Sequence, residues 1–302
     1  MKYNALGPSD LKVSEIGFGC MSLGTDESQA VRLIHEAMNQ GINFFDTADL
    51  YDHGRNEELL GKAIKGKRSD IILATKVGNR RVPGQEGWVW DPSKAYIKEA
   101  VKESLKRLGT DYIDLYQLHG GTLEDPIDET IEAFEELKRE GWIRYYGISS
   151  IRPNVVREYV ARANIVSVMS QYSILDRRPE EEIIPVLAEQ GISLIARGPV
   201  AKGILSEHSA SKIEEGFLDY TKEELTELIG QLSKLVTEER SLSQLALRYA
   251  LQSETVATVI PGASRMEQLL QNIQAGQLPD LTAEEMEWIL KHSKANRYTQ
   301  HR

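Results

Sequence analysis

The sequence is poor in cysteine, in long apolar runs and in clustered positive charge. Cys20 is the only cysteine, so no intrachain disulfide can form and a reducing, cytoplasmic environment is expected. No apolar stretch approaches the roughly 18 residues that a membrane-spanning helix requires, and residues 1–7 do not resemble a signal peptide. With 46 acidic against 36 basic side chains and no basic block, the chain is predicted to bind neither membranes nor nucleic acid.

What the sequence does contain is a repeated alternation of short apolar segments and longer amphipathic ones. Its 302 residues are 41% hydrophobic, which allows one large α/β barrel or two average domains. Eight apolar segments are predicted as core strands: residues 15–19, 42–45, 70–76, 112–119, 143–148, 165–171, 191–196 and 255–260. Helices are predicted at residues 26–40 (or from 28), 56–65, 93–108, 127–140, 154–163, 180–190 and 266–275.

This alternation predicts an α/β fold of the (β/α)8 TIM-barrel type. Residues 1–13 are predicted to form an N-terminal β-hairpin, because a Gly-Pro-Ser-Asp turn separates two short strand-like segments. Two further helices, at residues 221–237 and 282–294, are additional to the repeated strand–helix unit. Since no linker-like change in composition occurs, residues 1–302 are expected to form a single domain.

A doubly wound nucleotide-binding sheet is the alternative fold. Gly17 and Gly19 supply the first two glycines of its fingerprint, but Ser22 stands where the third glycine belongs. The acidic strand end expected about 20 residues later is also missing, because Asp46 lies farther along the chain. The fingerprint is therefore incomplete, and the barrel is favoured.

Polar side chains end several of the predicted strands. In a (β/α)8 barrel, the carboxyl ends of the strands form the face that carries the active site. The polar residues at these ends are Asp46, Lys76, His119, Ser149, Ser150, Gln171 and Arg197. Taken singly, each could be a cap or an exposed strand end. A carboxylate, an ammonium and an imidazole at equivalent places together favour a shared catalytic site.

The side chains of Asp46, Tyr51, Lys76 and His119 suit the reduction of a carbonyl group. Hydride addition to a carbonyl carbon creates an alkoxide, which must receive a proton. The Tyr51 phenol is the predicted donor, and the Lys76 ammonium would stabilise the phenolate that remains. Asp46 would hold Lys76 charged and in place, while His119 would polarise or orient the carbonyl oxygen.

Five motifs along the chain resemble those of the aldo-keto reductase superfamily. They are GINFFDTADLY at 41–51, ATK at 74–76, LKRLGTDYIDLYQLH at 105–119, GISS at 147–150 and VIPGAS at 259–264. The chain is most similar to the bacterial general-stress and potassium-channel-β-like branches, and Gly262 stands where aldose reductases carry a lysine. The resemblance implies a (β/α)8 barrel, NADPH as hydride donor and a small carbonyl substrate. It also implies a catalytic tetrad of Asp46, Tyr51, Lys76 and His119.

The resemblance further implies which residues would hold NADP(H). Around the nicotinamide these are Gly19, Cys20, Met21, Asp46, Ser149, Gln171, Arg197, Gly198, Pro199 and Val200. Around the adenosine phosphate they are Gly262, Ser264, Arg265, Gln268 and Asn272. Ser264 and Arg265 begin a predicted helix, whose N-terminus favours a phosphate. Arginine adds a bidentate donor for a 2′-phosphate, so NADP is predicted over NAD.

Two of these positions depart from the family pattern. Ser150 stands where asparagine is common, which puts its bond to the carboxamide in doubt. Arg197 replaces the tyrosine that usually stacks on the nicotinamide. A guanidinium can stack on a ring or turn towards the pyrophosphate, and the sequence leaves both roles open.

Several features have more than one interpretation at this level. Residues 201–220 could close over the cofactor or form a surface loop. Trp88 and Trp90 could line the substrate pocket or anchor a loop, and Tyr172 could face the cofactor or the core. The loops after the strands carry no recognisable substrate code, and the sequence does not indicate an oligomeric state.

Two other kinds of site are alternatives to the reductase. A metal site would need Asp46, Asp49, Asp52 and His53, but their spacing does not fit a calcium loop and Lys76 would repel a cation. No metal is therefore predicted. The resemblance to potassium-channel β subunits raises another possibility, an NADPH-binding, redox-sensing regulatory module with little turnover.

Overall fold

The computed structural model describes residues 1–82, 84–207 and 209–302. Its strands in chain order are β1 (Tyr3–Ala5), β2 (Lys12–Ser14), β3 (Phe18–Gly19), β4 (Phe44–Asp46), β5 (Ile72–Val77), β6 (Asn79–Arg80), β7 (Val89–Trp90), β8 (Ile113–Leu118), β9 (Ile143–Ser149), β10 (Ser167–Gln171), β11 (Ser193–Arg197) and β12 (Val256–Ile260). Its α-helices are α1 (Glu27–Asn39), α2 (Arg55–Ala63), α3 (Lys94–Leu108), α4 (Ile127–Glu140), α5 (Pro153–Arg162), α6 (Ile183–Gln190), α7 (Lys222–Leu232), α8 (Leu242–Leu251), α9 (Met266–Ala275) and α10 (Ala283–His292).

Eight parallel strands form a barrel. They neighbour one another in the order β3, β4, β5, β8, β9, β10, β11 and β12, each bonded to the next. Parallel bridges between Ile16 and Val259 and between Gly19 and Gly262 join the first strand to the last. The predicted (β/α)8 fold with its N-terminal hairpin is confirmed, although β3 is shorter than the predicted strand at residues 15–19.

Glycine is required where the barrel closes. A Cβ atom on Gly19 would lie 2.8 Å from the carbonyl oxygen of Ile260, and one on Gly262 would lie 2.3 Å from the hydroxyl of Ser22. A side chain at position 19 would push the two edges apart because it meets backbone, whereas one at position 262 would displace the Ser22 side chain. The amide of Gly17 donates to the carbonyl of Val259 at 2.8 Å, so the joint is also held by backbone hydrogen bonds.

The lower half of the barrel is filled with apolar side chains. The hairpin of β1 and β2 places Leu6, Leu11 and Val13 against the strands from below. The strand residues in this cluster are Phe44, Ile72, Ala74, Leu115, Val166, Met169, Ile195, Ala257 and Ile260. Because side chains alternate between the two faces of a strand, the residue two positions after an interior residue also points inwards, nearer the catalytic end.

The helices pack their apolar faces on the outside of the barrel. The additional helices expected at 221–237 and 282–294 correspond to α7 and α10. Helix α8 follows β11 in the repeat, and no bounds are predicted for it from the sequence. Residues 242–250 are all buried, the polar Ser243, Gln244 and Arg248 included. Among the described helices, none is long and apolar enough to cross a membrane.

Candidate active site

Lys76, Asp46 and Tyr51 meet at the carboxyl ends of β4 and β5. Lys76 Nζ donates to Asp46 Oδ2 at 2.6 Å, to the carbonyl oxygen of Thr47 at 2.7 Å and to the Tyr51 hydroxyl at 3.3 Å. The interior positions of Phe44 and Ala74 explain the meeting, because Asp46 and Lys76 each follow two residues later. Strand register brings Asp46 and Lys76 together, and the turn after β4 adds Tyr51.

Burial and ion pairing set the charge states of Lys76 and Asp46. Lys76 is 1% exposed and Asp46 is 2% exposed. Burial acts to lower the pKa of Lys76, but attraction by Asp46 and then by Tyr51 outweighs it, so the pKa is raised and the ammonium stays protonated. Asp46 accepts a second hydrogen bond from Gln117 Nε2 at 3.1 Å. Lys76 and Asp46 therefore form a buried ion pair.

His119 completes the predicted tetrad, because it lies against Tyr51. The two rings are 6.0 Å apart, centroid to centroid, and meet edge to face at 86°. Burial lowers the pKa of His119 to about 3, helped by the positive charges of Lys76 and Arg197. Its Nδ1 atom is buried and lacks a hydrogen-bond partner within the described residues. The imidazole is therefore neutral at physiological pH.

Two positioning residues were missed by the sequence analysis. Gln117 supports Asp46, and its alternation with the interior residue Leu115 could have revealed it. Asn56 accepts from the Thr47 hydroxyl at 2.7 Å and donates to the carbonyl of Cys20 at 2.9 Å. Asn56 thereby fixes the end of β4 against the end of β3. Nothing in its local pattern distinguishes it from an ordinary residue of a helix start.

Arg197, Gln171 and Ser149 occupy the ends of β11, β10 and β9. Arg197 and Gln171 are paired in register, and Arg197 Nη1 donates to Gln171 Oε1 at 3.0 Å. Interior residues Ile195 and Met169 lie two positions earlier, so both side chains point inwards at the catalytic end. Ser149 is 8% exposed at the end of β9. These three predicted cofactor residues thus lie on the wall opposite β4.

The predicted adenosine-phosphate residues surround the start of α9. Ser264 and Arg265 are exposed, and Arg265 precedes the first turn without a side-chain cap. The Ser264 hydroxyl lies 3.2 Å from Gln268 Oε1, and Asn272 Nδ2 donates to the carbonyl of Gly262 at 3.2 Å. The free amide groups of the helix start and an exposed guanidinium therefore occur together, which suits a phosphate group.

The structure brings some predicted cofactor residues to the surface of the site and not others. Met21 is 66% exposed, whereas the Cys20 side chain is fully buried in the core. Burial raises the pKa of the Cys20 thiol, and only its backbone is near the site. Gly198, Pro199 and Val200 continue directly from Arg197, with Gly198 in a left-handed conformation at φ 64°.

The contacts of Trp90 and Tyr172 decide between the interpretations left open for them. Trp90 donates from Nε1 to Asp125 at 2.9 Å and packs against Gly78 and Gly120, so it anchors its loop. Trp88 is 51% exposed. Tyr172 packs against Tyr249 and donates to Glu180 at 3.1 Å, in the core outside the barrel. It does not face the site.

The segment at residues 201–220 is partly anchored. Ala201, Ile204 and Leu205 are buried, and Phe217 pairs with Tyr220 in a short bridge. Position 208 lies outside the described residues. The backbone amide of Lys294 donates to the Tyr220 hydroxyl, which ties the segment to the C-terminal residues. Whether it closes on a cofactor stays a prediction.

The residues considered for a metal site do not converge. Asp46 is bound to Lys76, while Asp52 and His53 are exposed in a left-handed turn with φ of 47° and 57°. Burial and the neighbouring Glu57 raise the pKa of Asp49 to about 7. Across residues 1–82, 84–207 and 209–302, no group of three or more potential metal ligands occurs.

The fold is a closed (β/α)8 barrel, and its site holds a buried lysine–aspartate pair beside a tyrosine and a histidine. This combination is typical of a (β/α)8-barrel oxidoreductase. The chain belongs to the aldo/keto reductase family, which matches residues 15–294. The family resemblance drawn from the sequence motifs is thereby confirmed.

Close relatives support this assignment. An uncharacterized oxidoreductase of Bacillus subtilis (strain 168), YqkF, is 58% identical over 100% of both chains. The holo form of the aldo-keto reductase AKR11C1 from Bacillus halodurans superposes with a TM-score of 0.94 at 61% identity, covering 100% of this chain and 99% of that one. The apo form of the same protein gives a TM-score of 0.85 at 56% identity and the same coverage.

Proposed function

We propose that this chain reduces aldehyde and ketone carbonyl groups to alcohols, with NADPH as hydride donor. The observation that carries the proposal is the buried Lys76 ammonium, which binds Asp46 at 2.6 Å and donates to the Tyr51 hydroxyl at 3.3 Å. A cation placed so favours release of the phenolic proton, because it stabilises the phenolate that remains. Residues 1–302 are proposed to act as one domain in the cytoplasm.

Each residue of the tetrad has a separate task in this proposal. Tyr51 donates its proton to the carbonyl oxygen as negative charge develops there. Lys76 stabilises the resulting phenolate, and Asp46 keeps Lys76 protonated and in place. His119, neutral because its pKa lies near 3, donates a hydrogen bond to the same oxygen. A neutral imidazole orients the carbonyl without competing with Tyr51 as the acid.

The arrangement of the chain suits NADPH at two places. When bound, NADPH supplies the hydride. The exposed Arg265 and the uncapped start of α9 would hold its adenosine phosphate, with the bidentate guanidinium on the 2′-phosphate. Ser149 and Gln171 at the strand ends would bind the carboxamide. The better agreement with the holo form of AKR11C1 than with its apo form supports a cofactor site here.

Turnover tests the proposed reaction. Loss of NADPH absorbance is followed with a panel of aldehydes and ketones, for the wild type and for Tyr51→Phe. We expect Tyr51→Phe to lose about 10²- to 10⁴-fold in turnover, the usual contribution of a general acid, with NADPH affinity nearly unchanged. Tyr112→Phe, at the far end of the barrel, is the matched control. Tight NADPH binding without turnover on any carbonyl would favour the redox-sensing module instead.

Cofactor choice tests Arg265. In Arg265→Ala, we expect the affinity for NADPH to fall on the order of tenfold or more, because a charge-assisted bidentate contact is lost. NADH lacks the 2′-phosphate and serves as the internal control, so its affinity should barely change. An equal loss for both cofactors would remove the 2′-phosphate assignment.

A further inference from the structure

A buried ion pair lies behind the wall of the site that carries Lys76. The Glu57 side chain is fully buried, and it accepts from the Thr75 hydroxyl at 2.6 Å and from Arg107 Nε at 2.6 Å. Thr75 precedes Lys76 on β5, so its side chain points away from the barrel interior. The pair of Glu57 and Arg107 therefore lies outside the barrel, where β5 meets the helices α2 and α3.

The turn that carries Tyr51 packs against this ion pair. A Cβ atom on Gly54, the last residue of the turn, would lie 2.8 Å from Arg107 Cδ. Asp52 and His53, between Tyr51 and Gly54, are left-handed with φ of 47° and 57°. Residues with a Cβ atom adopt this conformation at a cost, so contacts with neighbouring residues must hold the turn in place. The Arg107 side chain supplies one such contact.

Asp49, two residues before Tyr51, is a second carboxyl group that interacts with the same ion pair. Its Oδ1 atom is buried and has no hydrogen-bond partner among the residues described. The Nε–H of Arg107 is already donated to Glu57. Burial acts to lower the pKa of Arg107, but attraction by Glu57, and more weakly by Asp49, outweighs it and raises that pKa. Two carboxyl groups thus compete for one guanidinium.

The surroundings of Asp49 favour its neutral form up to physiological pH. Burial, and then repulsion by Glu57, raises the pKa of Asp49 to about 7. Attraction by Arg107, and more weakly by Lys76, acts in the opposite direction without cancelling this rise. Burial also raises the pKa of two phenols that interact with Asp49, so both stay neutral. The titratable groups around Asp49 are therefore Glu57 on α2, Tyr96 and Arg107 on α3, Lys76 on β5 and Tyr116 on β8.

We propose that Asp49 is a positioning residue for the proton donor Tyr51, and that it serves this role only while it holds its own proton. Ionisation of Asp49 releases one proton to water and leaves a second negative charge beside Glu57. That charge competes with Glu57 for Arg107, against which the turn of Tyr51 packs. It also repels the negative charge that forms on the Tyr51 oxygen during proton donation. The inference rests on the proposed carbonyl reduction.

The charge of Asp49 reaches the site through Lys76. Asp49 interacts with Lys76, which donates to the Tyr51 hydroxyl at 3.3 Å. The interaction of two unit charges several ångströms apart near a protein surface corresponds to on the order of tenfold in a rate. Because Asp49 is partly ionised at both ends of the interval, turnover should fall by about fivefold between pH 6 and pH 8. His119 does not contribute in this interval, since its pKa is about 3.

The test follows the rate of a single turnover against pH, which separates the chemical step from product release. Loss of NADPH absorbance is measured with NADPH-loaded enzyme and saturating benzaldehyde, for the wild type and Asp49→Asn. Asparagine has nearly the shape of a protonated aspartate and cannot ionise. We expect the wild type to lose about fivefold from pH 6 to pH 8, whereas Asp49→Asn should keep its rate. Asp52→Asn removes an exposed carboxylate from the same turn and should retain the wild-type profile.

A second variant and a spectroscopic measurement test the same inference independently. Glu57→Gln removes the negative charge that repels Asp49, so the fall in rate should move to lower pH. Infrared difference spectra of the wild type minus Asp49→Asn are recorded without substrate. They should show the band of a protonated carboxyl group, which disappears as the pH rises through about 7. This band reports the proton on Asp49 whether or not the protein turns over.

Three outcomes would overturn the inference. The same fall in rate in Asp49→Asn would assign that fall to another group. An equal loss at every pH in Asp49→Asn would leave Asp49 with a structural role only. Absence of the carboxyl band from the wild type at pH 6 would show that Asp49 is ionised throughout. Failure of the wild type to reduce any carbonyl compound, with the band present, would instead contradict the proposed function and, with it, the effect on Tyr51.

Discussion

The lower and upper halves of the barrel interior are built from the same strands and differ in what they contain. Phe44, Ala74 and Leu115 point inwards in the lower half. Two residues further along the same strands, Asp46, Lys76 and Gln117 point inwards in the upper half. The lower half is stabilised by packing and removal from water, whereas the upper half depends on pairing of charges and hydrogen bonds.

The two halves also differ in how completely their buried polar atoms are hydrogen-bonded. Leu6, Leu11 and Val13 seal the lower half from below. In the upper half, Gln117 Oε1 and His119 Nδ1 are buried without partners among the residues described. Buried polar atoms are normally paired, so these two unpaired atoms cost the upper half stability. The apolar cluster of the lower half carries no comparable side-chain atoms, because its members are Leu, Val, Phe, Ile, Ala and Met.

Among substitutions in the two halves, Lys76→Met is expected to have the largest effect, and that effect is on turnover. The phenolate would lose its stabilising cation and Asp46 its partner, so we expect turnover to fall on the order of 10³-fold. Steady-state rates with any carbonyl that the wild type accepts are the measurement. Lys62→Met, which removes a surface ion pair with Glu27, should retain normal rates. A Lys76 variant with wild-type turnover would contradict the assigned role.

A substitution in the lower half should affect stability instead. Leu115 is fully buried, so Leu115→Ala should lower the free energy of unfolding by about 2–5 kcal/mol. Turnover below the unfolding temperature should stay within a few-fold of the wild type. Urea unfolding provides the measurement, and Leu218→Ala at a 49% exposed position should change little. If Leu115→Ala lost turnover but not stability, the distinction between the halves would be wrong.

Acid should weaken the upper half through His119. Its pKa in the folded state is about 3, below the value of about 6.5 expected when unfolded. The unfolded state therefore binds the proton first, so stability is retained above pH 6.5 and lost as the pH falls towards 3. Between pH 6.5 and 5, protonation linked to His119 should lower the free energy of unfolding by about 2 kcal/mol.

The comparison of urea unfolding at pH 6.5 and pH 5 isolates this contribution. The variant His119→Gln lacks the titrating group, so it should lose about 2 kcal/mol less than the wild type over that interval. His292→Gln, at an exposed position near the C-terminal end of α10, is the control. An identical pH dependence of the wild type and His119→Gln would show that His119 is not a buried neutral base.

The smallest effect is expected from Gln117→Leu. Asp46 would lose the hydrogen bond of 3.1 Å, but the unpaired Gln117 Oε1 would also be removed, so the two changes partly cancel. We expect the free energy of unfolding to fall by about 1 kcal/mol and turnover to fall by about tenfold or less. The same measurements on Gln190→Leu, an exposed position, supply the baseline. A collapse of activity as large as that of Lys76→Met would place Gln117 among the reacting groups.

The sequence was sufficient where a local pattern repeats. Alternating apolar segments predicted the eight barrel strands, and the strand ends predicted Asp46, Lys76 and His119. Helix α8 was missed although Ser241 and Gln244 form a capping box, which is a local signal of a helix start. The hairpin of β6 and β7 has strands of two residues, too short for any period to be seen. Asn56 acts through Cys20 and Thr47, which become its neighbours only in the fold.

The joint between β3 and β12 has a consequence for how the molecule is made. It unites residues near one end of the sequence with residues near the other, so a ribosome must have released nearly all of the barrel before the joint can form. Until then, the emerging chain presents an open sheet with two unpaired edges. We expect nascent chains that stop before residue 256 to be digested by proteases and to gain no protection from NADPH.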